Sequence, residues 1–75
     1  MFEIKHCTPD IDAYLRLRDI NGLSPRSRHA AELGLPNSLF AVTAYNGDKV
    51  VGMGRVIGDR GCNFEIVDVA VDPDY

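Results

Sequence analysis

The sequence predicts an α+β fold, sandwich-like, in which a mostly antiparallel sheet carries helices on one face, in the order β-α-α-β-β-β. Three observations predict it. The pairs Thr8-Pro9 and Ser24-Pro25 each precede a stretch with helical spacing of apolar residues. Beyond Pro36 the apolar period falls from helical to two. Asn46-Gly47 then stands between two such runs, which is a strong hairpin signal.

The elements follow in order. Phe2 to His6 alternates apolar and polar residues, as a short half-buried strand does. Thr8 is placed to cap the first helix, with Pro9 in its first turn and Asp10 and Asp12 at its positive end. Ile11, Tyr14, Leu15 and Leu17 supply the apolar stripe, and Tyr14 reads as core rather than catalytic. Asn21-Gly22 ends the helix, because glycine tolerates a left-handed exit. After a tight link, Gly22-Leu23-Ser24, a second helix is expected from Pro25 to Leu33. Ala30, Ala31 and Leu33 are its buried candidates, and Gly34 and Pro36 stop it. Ser38 to Tyr45, Asp48 to Ile57 and Cys62 to Val71 are the strands of a meander. Its turns are Asn46-Gly47, with both residues at positive φ, and Gly58 to Gly61. Gly52 and Gly54 inside the middle strand point to a bulge or a close backbone approach. Met53 reads as a core filler.

Composition narrows the function. The chain has 75 residues, 45% of them hydrophobic, which fits one small domain with a marginal core and not a disordered tail. A net charge of −3 argues against a nucleic-acid partner. Arg16, Arg18, Arg26 and Arg28 lie in the first half, while Glu65, Asp68, Asp72 and Asp74 crowd the end. This gives two solvated faces, or a basic rim that attracts an anion. Cys7 and Cys62 are far apart, and no CxxC or Cys/His spacing suggests a metal, so free thiols in a reducing cytoplasm are expected. There is no apolar run long enough to span a membrane and no signal-peptide pattern at the start, so the expectation is a soluble cytoplasmic protein.

The last strand carries the chemistry. Strict alternation points Glu65, Val67, Val69 and Val71 one way and Phe64, Ile66, Asp68 and Ala70 the other. Apolar residues on both faces mark a strand buried on both sides, as a central strand is. A carboxylate in such a strand has its pKa raised by burial, toward the range where it accepts a proton near neutrality. Glu65 and Asp68 are therefore candidate general bases, or else strand-end groups that reach solvent or an arginine. On opposite faces they cannot serve one site, unless a bulge re-aims one of them.

The order of elements, the stretch LFAVTAYNGDKVVGMGRVIGD and above all FEIVDVAVDPDY resemble the GCN5-related N-acetyltransferases, the GNAT superfamily. GLSPRS and NSLF add to the likeness and look like a bacterial branch. The resemblance covers residues 1–75 as the N-terminal part of an acetyltransferase domain. In that family a strand of this type leads into an Arg/Gln-x-x-Gly-x-Gly/Ala loop, where a helix N-terminus binds the pyrophosphate of acetyl-CoA. The loop, the helix after it, the strand that splays away and the family's usual tyrosine acid are not among these residues. The resemblance thus implies an acetyl-CoA-dependent transfer of acetyl to a primary amine of a small molecule or peptide, with this chain inactive by itself.

The resemblance implies roles for particular residues. Val69, Ala70 and Val71 match the strand segment whose backbone pairs with the pantetheine arm of CoA, as an added strand would. Glu65 matches a position that holds the general base in some members, and Asp68 one that is often acidic. Glu65 is preferred, because its parity matches that of Val69 and Val71. Ser24 and Arg26 sit where the family shapes its acceptor site, and Arg26 suits an acceptor carboxylate. The other reading is a small self-associating α/β protein without enzymatic activity, pairing through its last strand. A homo-oligomer, or a C-terminal half supplied separately, would complete the sheet.

Overall fold

The computed structural model describes all residues, 1–75. Strand β1 (Phe2–Lys5) leads to helix α1 (Ile11–Ile20), helix α2 (Arg28–Gly34) and a 3-10 turn over Leu35–Asn37. Strands β2 (Phe40–Asn46), β3 (Lys49–Gly58) and β4 (Phe64–Val71) follow. The four strands form one antiparallel sheet in the order β1-β2-β3-β4. This is the N-terminal half of the expected α+β fold.

Both helices start later than expected, α1 by two residues and α2 by three. Asp10 caps α1, its carboxylate accepting from the Ala13 N–H at 3.1 Å. An anionic acceptor here meets both the orphan N–H and the positive helix end, which Thr8 is too early to reach. Ser27 caps α2 by accepting from the Ala30 N–H at 3.0 Å. Ser24 is engaged elsewhere, by Arg18 and Arg26. The link between the helices is consequently longer than the tight turn expected.

Within α2, Ala31 is buried as expected, whereas Ala30 and Leu33 are exposed. Leu35 fills the core in place of Leu33. Four residues beyond Ala31, it shares that residue's side, whereas Leu33 stands on the opposite one.

The β2–β3 hairpin is also offset by one residue. Asn46 pairs with Lys49, so the two-residue loop is Gly47-Asp48 and not Asn46-Gly47. Only Gly47, at φ 63°, takes positive φ. Glycine at the first central position alone suffices for one of the two favoured hairpin turns, and Asn46 stays in the ladder.

The largest departure from strict alternation is in β4. Val67 pairs with Arg55 and Ala70 with Met53, so Asp68 and Val69 together oppose the single residue Gly54. Asp68 is the extra residue of this bulge, at φ 56°. The bulge resets the parity. Glu65, Val67, Asp68 and Ala70 share the helix side, while Phe64, Ile66, Val69 and Val71 take the other. Glu65 and Val69 therefore do not share a face, contrary to the alternation drawn from the sequence.

The core lies between α1, α2 and the sheet. Ala13, Tyr14, Leu17, Ala31, Leu35, Val50, Met53 and Ala70 compose it. The helices cover one face only. On the other, Phe2, Ile4, Phe40, Ile66, Val69 and Val71 are exposed, Ile66 to 73%. Within the chain β4 is accordingly an edge strand exposed on one face, and not the doubly buried central strand its composition suggested.

Candidate functional site

Asp68, in β4, is where α1 and β3 meet that strand. Its position in the bulge turns the carboxylate under α1, where the side chain is only 6% exposed. One oxygen, Oδ1, accepts from Arg18 of α1. The other, Oδ2, accepts from Arg55 Nε of β3 at 2.7 Å and from the Tyr14 hydroxyl at 3.0 Å. Each arginine is in turn fixed by carbonyls. Arg18 donates through NH2 to the Ser24 carbonyl at 2.6 Å and to the Ser24 hydroxyl at 3.1 Å. Arg55 donates through NH1 to the Gly34 carbonyl and the Ser38 hydroxyl, both at 3.2 Å. No buried side-chain polar atom is left without a partner.

The electrostatics follow from this geometry. Burial by itself pushes the Asp68 carboxyl up, but the hydrogen bonds from Arg55 and Tyr14 and the two guanidinium charges outweigh it, and the pKa is lowered. Tyr14 moves the other way. Burial raises its pKa first, and the bond it donates to the Asp68 carboxylate raises it further. Asp68 is thus a fixed anion, and Tyr14 a neutral donor that packs in the core.

Glu65 lies on the same side of β4 but is exposed, and it makes no ion pair. Beyond the bulge, the Asp72 N–H points inward to the Val51 carbonyl at 2.8 Å. Strand alternation then turns the N–H and C=O of Ala70 toward β3, and those of Val69 and Val71 outward, along the free margin of the sheet. So the three residues expected to meet a cofactor divide: Val69 and Val71 offer backbone groups outward, and Ala70 is in the ladder with its side chain in the core.

Ser24 and Arg26 lie on the link between the helices. Arg26 donates to the Ser24 hydroxyl at 2.8 Å and has no carboxylate partner. With Leu15, Arg18, Asp19, Leu23 and Pro25 it lines a cleft of about 190 Å³. Arg18 spans from this cleft to the bulge and connects the two. In the sequence, Tyr14 reads only as core and Arg18 only as one of four arginines in the first half, and Arg55 is not singled out. Their signal was available only as a pair of arginines in otherwise apolar stretches, at Leu17-Arg18 and Gly54-Arg55-Val56.

No protein-family model and no curated protein matches the chain. Solved structures do match it. A protein of unknown function from meticillin-resistant Staphylococcus aureus, described as a probable acetyltransferase, is 51% identical to it, with a TM-score of 0.95 over the whole chain. A GNAT family acetyltransferase from Streptococcus pneumoniae TIGR4 is 29% identical, with a TM-score of 0.79, again over the whole chain. The chain spans 56% and 55% of those two proteins, about half the length of each.

Proposed function

Given that the chain belongs to the GCN5-related N-acetyltransferase superfamily and carries the N-terminal half of its fold, we propose that it forms the acceptor-facing part of an acetyl-CoA-dependent N-acetyltransferase. The observation that carries this reading is the 51% identity to a probable acetyltransferase over every residue of the chain. The free margin of β4 supports it. Val69 and Val71 present a donor and an acceptor each, to which an amide-bearing arm can pair as an added strand.

When bound, acetyl-CoA supplies the acetyl group as a thioester. The chain's own part is to bring the amine to it in line. A carboxylate of the chain would take one proton from the ammonium; the amine nitrogen would then form the C–N bond as the C–S bond breaks, and the sulfur would leave with its electron pair and the second proton, as the thiol. Outward N–H groups of β4 stabilise the carbonyl oxygen on which charge develops. Of the two carboxylates the sequence singles out, Glu65 is the exposed one and is the candidate base. Ser24 and Arg26 would orient the acceptor, a small molecule or peptide amine.

The test is isothermal calorimetry of the chain with acetyl-CoA, together with a thiol-release assay over a panel of primary amines. Weak binding with the β4 amides perturbed in NMR spectra is the expected result. No perturbation at Val69 or Val71 at saturating acetyl-CoA removes the reading. A second reading, self-association without catalysis, is favoured by the exposed Ile66, Val69 and Val71 on an open edge. Light scattering that returns a discrete dimer indifferent to CoA would support it.

A further inference from the structure

We propose that Asp68 is a positioning residue and not the proton acceptor: clamped between Arg18 and Arg55, it holds β4 in its bulge and so fixes the outward aim of the Val69 N–H. The inference rests on the acetyltransferase reading above, and it assigns three residues, Asp68, Arg18 and Arg55, a task in that reaction.

The backbone needs holding. A non-glycine residue at φ 56° is uncommon, and such a conformation persists only where its surroundings over-determine it. Aspartate tolerates this region better than most residues, but here the side chain is also tied on both oxygens. The ties run to α1 and β3, and the arginines themselves are braced by Ser24, Gly34 and Ser38. A group supported from several rigid elements keeps its geometry, which is what positioning requires.

The same ties unfit Asp68 for base work. A general base must stand within hydrogen-bonding reach of the proton it takes. Both Asp68 oxygens face guanidiniums or the Tyr14 hydroxyl, and the side chain is 6% exposed. Its lowered pKa agrees with this placement.

The bulge matters because of the period of a strand. Removing one residue of β4 would swap the sides taken by everything beyond it. Val69 and Val71 would lose their outward backbone groups to the ladder, and Ala70 would leave the core. The clamp therefore decides which N–H groups line the sheet margin.

The test compares wild type with Arg55→Lys and Asp68→Asn. A lysine keeps the charge but cannot bond Asp68, Gly34 and Ser38 together from one planar fork. The expected result is that the Val69 and Val71 amide resonances move in both variants, while those of α1 stay. Acetyl transfer should fall roughly tenfold or more, as misplacement of reacting groups does, with the acidic limb of the pH–rate profile retained. Folded variants whose Val69 amide does not move would overturn the clamp. Loss of the acidic limb in Asp68→Asn with the bulge intact would overturn it too, and make Asp68 the base. Should Asp68→Asn not fold, acid titration of the wild type decides. The Val69 amide should follow the Asp68 carboxyl carbon, and an amide that ignores it overturns the proposal. If saturating acetyl-CoA leaves the wild-type Val69 and Val71 amides unmoved, the acetyltransferase reading fails, while the shifts between wild type and variants still decide the clamp.

Discussion

Asp68 shows how a single carboxylate can dominate a marginal core. Three partners converge on it, two of them charged, in a space with almost no solvent. Removing one partner of a buried ion pair typically costs about 3–5 kcal/mol, because the other charge is left uncompensated. Arg18→Ala and Asp68→Ala should each lower the urea midpoint by a large fraction of total stability. The exposed pair of Arg28 and Asp12 should cost at most about 1 kcal/mol when Arg28 is replaced. The pH dependence has a definite sign. The folded pKa of Asp68 is lowered from 3.8, so its contribution is present above about that value and is lost as the pH falls below it toward the folded pKa. Asp72, lowered by the Asp74 N–H and then by Arg16, acts in the same direction. Tyr14 acts at the other end. Its pKa is raised above 10.0, so stability should also decline as the pH rises past that value. Circular dichroism across both ranges would record the two losses.

At the scale of elements, turns and caps decide register more than the strands do. A Cβ on Gly58 would stand 2.0 Å from the Asn63 carbonyl oxygen, across the neck of the β3–β4 turn. Gly58→Ala should therefore destabilise by about 1–3 kcal/mol. Gly61→Ala, three residues on, meets only an Asp59 oxygen at 3.8 Å and should be nearly neutral. Asp59 explains why that loop holds its form, since its Oδ1 accepts from the N–H groups of Gly61, Cys62 and Asn63. The caps offer a parallel comparison. Asp10→Ala should cost about 1 kcal/mol and Thr8→Ala much less, read as thermal midpoints. These are also the places where the sequence was only partly legible. Element types and order could be read, because apolar spacing and Gly/Pro punctuation are local. Which of Ser24 and Ser27 caps depends on where Arg18 reaches, since Arg18 engages Ser24. That is a tertiary matter. The bulge was foreshadowed by Gly54, yet its position at Asp68 depends on guanidiniums from two other elements. The parity of Val69 was lost with it.

On the scale of the whole molecule, asymmetry is the main property. One face of the sheet is covered by helices, and the other exposes large apolar side chains from β1, β2 and β4. A contiguous apolar surface of this kind on a small protein marks a contact surface. The free margin of β4 adjoins it. We expect the chain to associate as concentration rises, observed as a growing sedimentation coefficient. Lysine at Ile66 or Val69 should shift the population toward monomer, since edge charges block strand addition. The fold itself was legible at this scale, with its helical layer on one side. The place of β4 was not, because a strand with apolar residues on both faces reads alike whether polypeptide, cofactor or solvent lies beside it.

The contacts that secure α1 come from far along the chain. Tyr14 is 54 residues from Asp68, Arg18 is 50 residues from it, and Arg16 is 56 residues from Asp72. The first helix packs on α2 and β3, but its ties to Asp68 and Asp72 are absent until the last strand has been synthesised. During translation the early segments must wait, exposed, for residues some fifty positions behind them to leave the ribosome, and such non-local closure is slow. A nascent polypeptide halted before Asp68 would present chaperones with an open, sticky substrate.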